Sequence, residues 1–153
     1  MISRVFIALA LVAFIGACGD VTGPDQAAMP AHGLLISVAV PGHCLFICDP
    51  ISQDLNHLGL VTLTNTATTK VFFQLCGGAP AIGEQQFVNG QWINVGPAFA
   101  CATGPISRVV QPHDSVQFNM WFGAGTWRLT LGAAADTALA TVALSVSAPI
   151  ALE

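Results

Sequence analysis

The side chains best suited to chemistry in this 153-residue chain are five cysteines and four histidines. A thiol can form a disulfide, bind a metal, accept a lipid or attack a substrate, and its sequence surroundings help to decide among these roles. Cys18 stands apart in the stretch FIGACGDVTGP, whereas the remaining cysteines lie farther along, at positions 44, 48, 76 and 101. Because those four can pair among themselves, Cys18 needs an explanation of its own.

The residues before Cys18 have the composition of a secretory signal peptide. Arg4 supplies a positive charge, an unbroken apolar run extends from Val5 to Ile15, and two small residues follow. The run is too short for a comfortable transmembrane helix, and it is apolar on every face, unlike an amphipathic core element. Residues 1–17 are therefore predicted to be a cleaved signal peptide.

The four residues IGAC, which end at Cys18, resemble the lipobox of bacterial lipoproteins, an aliphatic residue and two small residues before a cysteine. The resemblance implies that Cys18 receives a diacylglyceryl group, that the signal is cut before it, and that its new amino group is acylated, with fatty acids such as palmitate. Several acyl chains, at about 0.8 kcal/mol per buried methylene, anchor a protein stably. The expected location is the extracytoplasmic side of the bacterial cell envelope, at the inner or the outer membrane. Ordinary cleavage near Ala17, with Cys18 left as a free thiol, is the alternative.

The residues after Cys18, GDVTGPDQAAMPAHG, are rich in Gly, Pro and Ala and have no hydrophobic period. We predict that residues 18–32 comprise the lipidated cysteine and a flexible tether, and that residues 33–153 form one domain. Loss of Arg4 with the signal removes one of four Lys and Arg residues, which leaves three cations against eight Asp and Glu. A chain of this charge lacks the basic footprint of a nucleic-acid-binding protein, so the expected membrane contact is the lipid anchor.

From Gly33 onward, apolar and polar residues alternate in short segments separated by turn signals, which is typical of half-buried strands. The segments are GLLISVAV, LVTLTN, KVFFQL, DSVQFNMW, TWRLTL and LATVALSVS. Alternation predicts a shared face in each: Leu34, Ile36, Val38 and Val40 in the first, Val61, Leu63 and Asn65 in the second, Val71, Phe73 and Leu75 in the third, and Trp127, Leu129 and Leu131 in the fifth. Asn89-Gly90, between two apolar runs, predicts a type I′ hairpin. In the last segment the apolar face is expected to contain Val142, Leu144 and Val146, opposite Thr141, Ser145 and Ser147. Its lead, GAAADTALA, could instead begin a short helix.

Seven or eight such strands predict an all-β, antiparallel β-sandwich, because no helical segments are present to connect parallel strands. The segments VTLTNTATTKVFFQLC, NGQW, VQPHDSVQF and GTWRLTL resemble immunoglobulin-like domains of bacterial secreted proteins. The resemblance implies an immunoglobulin-like sandwich. It implies no particular activity, since one fold serves many functions.

The four cysteines after Cys18 allow three pairings. Cys76 with Cys101 is favoured, because one ends a strand and the other ends the segment after the hairpin, and such a loop stabilises by roughly 3 to 4 kcal/mol. Cys44 and Cys48 then pair by default, which requires CLFIC to bend, since four extended residues span about 13 Å. A crossed pairing stays open. A metal or redox role for CLFIC is disfavoured, because three residues separate these cysteines where two are usual.

No catalytic motif is present in the sequence. The histidines, His32, His43, His57 and His113, are scattered, and the carboxylates form no convincing acid pair for glycoside chemistry. We therefore predict that the chain is not an enzyme and has no catalytic residue, no cofactor and no bound metal. A loop metal site at His43 and His57, with Asp49 and Asp54 nearby, is the alternative.

The stretch NMWFGAGTW brings three aromatic residues together: Trp121, Phe122 and Trp127. Aromatics in this setting usually cap a sandwich core, and if they are exposed they form a platform for a protein or a glycan. The expected function is therefore a membrane-anchored extracytoplasmic lipoprotein with a non-catalytic interaction or structural module, whose partner is an envelope protein or a glycan. The alternative is a protease-inhibitor-like sandwich that presents GGAPAIGEQQ or PAFACATGPIS, the latter braced by Cys101.

Overall fold

The computed structural model describes residues 26–40, 57–96 and 106–153. These residues form eleven strands and no helix, so they contain no helix that could cross a membrane. In chain order the strands are β1 (Leu34–Ala39), β2 (His57–Asn65), β3 (Val71–Cys76), β4 (Ala79–Pro80), β5 (Gly83–Val88), β6 (Gln91–Asn94), β7 (Ile106–Val110), β8 (Ser115–Phe122), β9 (Gly125–Ala134), β10 (Ala143–Val146) and β11 (Ile150–Leu152). Several predictions concern residues outside these ranges: the signal peptide, Cys18, the metal site of His43, Asp49 and Asp54, and the cysteines Cys44, Cys48 and Cys101.

The strands form two antiparallel sheets. The small sheet has the order β1-β2-β8. The large sheet is built around β9, which pairs with β3, β5, β10 and β11, while β4 and β7 extend it from β3 and β6 extends it from β5. The prediction of an all-β antiparallel sandwich is confirmed.

The core lies between the inner faces of the two sheets and contains the apolar residues that alternate along the strands. Its fully buried members include Leu34, Ile36, Val61, Leu63, Val71, Phe73, Leu129 and Leu131. They occupy every second position of β1, β2, β3 and β9, because successive side chains of a strand point to opposite faces. The predicted faces of these four strands are confirmed.

The Asn89-Gly90 hairpin is also confirmed. Both residues have positive φ, 52° and 82°, as a type I′ turn requires. The turn joins β5 to β6 with Val88 opposite Gln91, so the next pair outward is Phe87 with Trp92.

The predicted faces of the last alternating segment are wrong except at Val146, which is buried as expected. Leu144 and Val142 are 57% and 54% exposed, whereas Ser145 and Ser147 are buried. Each serine is buried with a backbone partner: Ser145 Oγ accepts a hydrogen bond from the Ala31 N–H at 3.0 Å, and Ser147 Oγ accepts one from the Leu129 N–H at 2.9 Å. Small hydroxyl side chains that satisfy backbone donors can therefore take inward positions that apolar residues would usually fill. The lead from Ala135 to Val142 forms no helix.

The predicted tether is too long, because residues 26–32 belong to the domain. Met29 and Val146 exchange two backbone hydrogen bonds of 2.8 Å, and Ala31 is buried. The segment thus adds an isolated bridge to β10 before the chain turns at His32-Gly33 into β1.

Asn65, at the end of β2, is a fully buried polar residue whose side chain is satisfied by backbone groups. Its Nδ2 donates to the carbonyl oxygens of Thr69 and Val110 at 2.7 and 3.0 Å, and its Oδ1 accepts from the Ala67 N–H at 2.9 Å. The backbone N–H of Asn65 donates to the Asp114 carbonyl, and its carbonyl accepts from the His113 N–H. One side chain therefore joins the turn after β2 to the end of β7.

Candidate functional site

The outer face of the large sheet carries a group of long polar and aromatic side chains. Cross-strand pairing places Gln85 opposite both Arg128 and Asn94, and Phe87 opposite Trp92, so these side chains share the face that points away from the core. Gln26 joins them from the segment before β1. We call this surface the arginine–aromatic face, and its members are Gln26, Gln85, Phe87, Trp92, Asn94 and Arg128.

Arg128 is the centre of the face and reaches across β5 to β6. Its Nε donates to Gln85 Oε1 and its Nη1 donates to Gln26 Oε1, both at 2.6 Å, and its guanidinium carbon lies 4.3 Å from the ring centroid of Trp92. Burial lowers the pKa of Arg128 from its ordinary value, but a guanidinium stays charged in proteins. Its hydrogen-bond partners among the described residues are neutral amides, so neither neutralises the charge.

The aromatic part of the face is a tilted pair. The ring centroids of Phe87 and Trp92 are 5.1 Å apart at an interplanar angle of 56°. The indole Nε1 of Trp92 is buried and has no hydrogen-bond partner among the described residues. A buried donor without an acceptor is uncommon in proteins.

The hydrogen-bonding capacity left on the face consists mainly of donors. Gln85 Nε2 donates to Asn94 Oδ1 at 2.9 Å, so the side-chain oxygens of Gln26, Gln85 and Asn94 each already accept a bond. Of the five N–H donors of a guanidinium, Arg128 uses two on side chains of the described residues, and three are unused within those ranges. An acceptor-rich or negatively charged group therefore complements this surface.

A second candidate site, a half-open cleft, lies on the opposite side of β5, between the sheets. It has a volume of about 180 Å³ and is lined by Ala79, Pro80, Ile82, Glu84, Phe118, Asn119 and Met120. Burial raises the pKa of Glu84 above its ordinary value of 4.5, because desolvation penalises the carboxylate. Among the described residues that line the cleft, Glu84 is the one with a titratable side chain.

The three aromatic residues of NMWFGAGTW, a possible binding patch if exposed, do not form a surface platform. Phe122 is fully buried and Trp127 is 8% exposed, with their ring centroids 6.1 Å apart. Trp127 Nε1 donates to the Gly123 carbonyl at 2.9 Å, so its polar atom is satisfied inside the protein. These two residues belong to the core, while Trp121 is half-buried on the outer face of the small sheet, opposite Leu58.

The other predicted site residues are dispersed among the described ranges. His57 is buried, with Nε2 at 3.0 Å from the carbonyl oxygen of Glu153, and His32 and His113 occupy turns with positive φ. Across the described ranges, no group of three His, Cys, Asp or Glu side chains could hold a metal ion. Cys76 is disulfide-bonded. Its pairing with Cys101 stays a prediction, because Cys101 lies outside those ranges.

The first of the two proposed inhibitory loops is part of a sheet. GGAPAIGEQQ spans a turn at Gly77-Gly78, then β4, then the first half of β5, which pairs with β9. The second stretch, PAFACATGPIS, lies mostly outside the described residues, and its end begins β7. The inhibitory role therefore stays a prediction that rests on the second stretch.

Sequence reasoning missed the arginine–aromatic face, although one signal for it was present. A type I′ turn at Asn89-Gly90 fixes the hairpin register, and that register places Phe87 beside Trp92. Arg128 could not be added in this way, because its place depends on the pairing of β5 with β9, which are far apart in sequence.

Comparisons with known proteins give no relative from which a function could be transferred. No protein-family model matches the chain, and no curated protein matches it. The resemblances to bacterial lipoproteins and to immunoglobulin-like domains therefore stay predictions from the sequence.

Proposed function

We propose that the chain is a lipid-anchored module of the bacterial envelope that binds its partner without catalysing a reaction. The anchor is Cys18, the last residue of the lipobox-like IGAC, and the module is the β-sandwich that follows it. The arginine–aromatic face carries the binding part of the proposal. There a charged guanidinium lies on an indole ring, with neutral amides as partners and with unused donors around it.

The chemistry of this face supports binding better than catalysis. Arginine and tryptophan are enriched among the residues that dominate interface energetics, because they combine large contact area with directional donors. Neither side chain is suited to proton transfer, since a guanidinium stays protonated and an indole has no basic nitrogen. A module of this kind would recognise an acceptor-rich surface and hold it.

The anchor is tested by metabolic labelling with radioactive palmitate and membrane fractionation of the full chain in a bacterium. Cys18→Ala should lose the label and leave the membrane fraction, or accumulate as an uncut precursor. Cys101→Ala is the matched control, because it removes another cysteine side chain; it opens the predicted disulfide to Cys76 but leaves the lipobox-like IGAC unchanged, so both properties should be kept. Unchanged labelling and membrane attachment of Cys18→Ala would contradict the anchor.

The binding role is tested by crosslinking the full chain in cells and comparing Arg128→Gln with Arg108→Gln. Arg108 is an exposed arginine of β7, so its replacement removes the same charge away from the arginine–aromatic face. We expect the crosslinked species of the parent chain to be lost in Arg128→Gln and retained in Arg108→Gln. Identical crosslinking of both variants would refute the role of this face.

A further inference from the structure

The anchor and the arginine–aromatic face lie close together along the chain. Gln26 is the first described residue, and its side chain accepts the hydrogen bond from Arg128 Nη1. Seven residues lie between Cys18 and Gln26, and the eight steps from one to the other span at most about 29 Å when fully extended. If Cys18 carries the lipid, Gln26 lies no farther than this from the membrane surface, so the face is held near that surface.

The chemistry of the face matches a lipid headgroup region. Phospholipid headgroups present phosphate oxygens, which accept hydrogen bonds and carry negative charge, and arginine pairs with phosphate through parallel N–H donors. Tryptophan is enriched at membrane interfaces, and the part of Trp92 available there is the exposed portion of its ring, since its Nε1 is buried. Phe87 adds apolar area beside Trp92, and Met29, with 44% of its surface exposed, adds apolar area beside Gln26.

The charges of this surface favour the same ligand. None of the six members of the face is acidic, and Glu84, the acidic residue of β5, points to the opposite side of that strand. The protein as a whole has a formal net charge of −4, so most of its surface is repelled by an anionic leaflet. The orientation with Arg128 toward the membrane avoids that repulsion.

We propose that the arginine–aromatic face docks on the phospholipid headgroups of the membrane that holds the anchor, with Arg128 on a lipid phosphate and Trp92 at the headgroup level. The proposal rests on the lipid anchor at Cys18. One such contact is weak for a free protein, but the anchor makes it intramolecular, at an effective concentration in the millimolar range. The anchored domain then has a preferred orientation, with the outer face of the large sheet at β5, β6 and β9 turned toward the membrane.

The test uses the full lipidated chain reconstituted in vesicles that contain phosphatidylethanolamine, phosphatidylglycerol and a phospholipid brominated near the headgroup end of its acyl chains. Bromine quenches a tryptophan that lies close to it. The parent chain should be quenched, and Trp92→Phe should lose most of that quenching, because Trp121 and Trp127 lie outside the face. Arg128→Gln should reduce the quenching about twofold or more, whereas Arg108→Gln should leave it unchanged.

A measurement on the unmutated chain tests the proposal without depending on whether the variants fold. Raising the salt from about 0.05 M to about 1 M shortens the Debye length from more than 10 Å to about 3 Å and should weaken the quenching. Failure of the full chain to float with the vesicles would refute the anchor itself. Flotation with quenching that is unaffected by Trp92→Phe, by Arg128→Gln or by salt would overturn the docking proposal and leave the anchor intact. A face that binds a protein partner instead would give that second result.

Discussion

Replacement of Asn65 tests the claim that one buried amide holds an end of the sandwich together. Asn65→Ala removes the bonds from Nδ2 to the Thr69 and Val110 carbonyls and the bond from the Ala67 N–H to Oδ1. Three such bonds contribute about 0.5 to 1.5 kcal/mol each, and the buried Val110 carbonyl loses a donor that water cannot readily replace. The expected loss in the free energy of unfolding is about 3 kcal/mol.

The assay is equilibrium urea unfolding followed by tryptophan fluorescence. Thr66→Ala is the matched control, because Thr66 is the adjacent, exposed residue and its Oγ1 makes one bond, of 2.8 Å, to the Gly33 carbonyl. That carbonyl also accepts the Thr66 backbone N–H, so it keeps a partner in the variant. We expect Thr66→Ala to cost about 0.5 to 1 kcal/mol.

Asn65→Asp separates hydrogen bonding from packing, because the side chain keeps its shape. A carboxylate would face two carbonyl oxygens, which raises its pKa in the folded protein above the unfolded value of about 3.9. The variant should therefore be most stable below about pH 4 and lose stability as the pH rises through the raised pKa. A loss below about 1 kcal/mol for Asn65→Ala, or Asn65→Asp as stable as the parent at pH 7, would refute the reasoning.

Two further substitutions test the Glu84 cleft and the turn before β1. Burial raises the pKa of Glu84 above 4.5, so its ionisation should lower the stability of the folded protein as the pH rises from 4.5 toward neutrality. Glu84→Gln should flatten this part of the pH dependence in urea unfolding, and parallel curves for variant and parent would contradict the assignment. Gly33→Ala should cost about 2 to 4 kcal/mol, because φ is +80° and the new Cβ would lie 2.6 Å from Ala67 Cβ. Gly78→Ala, at φ +89° with nothing within 4 Å, should cost only about 1 kcal/mol, and equal losses would count against the steric explanation.

The sequence was a good guide where alternation follows the difference between apolar and polar side chains. Val61, Leu63 and Asn65 were predicted to share one face of β2, and all three are buried. The same rule failed at β10 and the residue after it, because Ser145 and Ser147 are buried and accept hydrogen bonds from backbone N–H groups. Hydropathy alone cannot identify a serine that is buried with a partner, since the partner comes from a distant segment.

The candidate site was less predictable than the fold. The pair of Phe87 and Trp92 follows from the hairpin register, which is a local property. Arg128 joins the pair only because β9 lies beside β5, and Gln26 joins it only because residues 26–32 pack on the large sheet. The short strands β4 and β11 were also missed, since strands of two and three residues exist only through their pairing with β3 and β9. Long-range pairing is therefore the information that the local pattern lacks.

The central place of β9 constrains the order in which the protein can assemble during synthesis. Both β3 and β5 are synthesised before β9, and each pairs with β9. The strand edge that each presents to β9 therefore stays unpaired until residues 125–134 have been synthesised. Unpaired strand edges and exposed apolar faces promote aggregation in incomplete chains. The large sheet therefore cannot grow strand by strand from the amino terminus, and a nascent chain would need protection until β9 arrives and organises the sheet around itself.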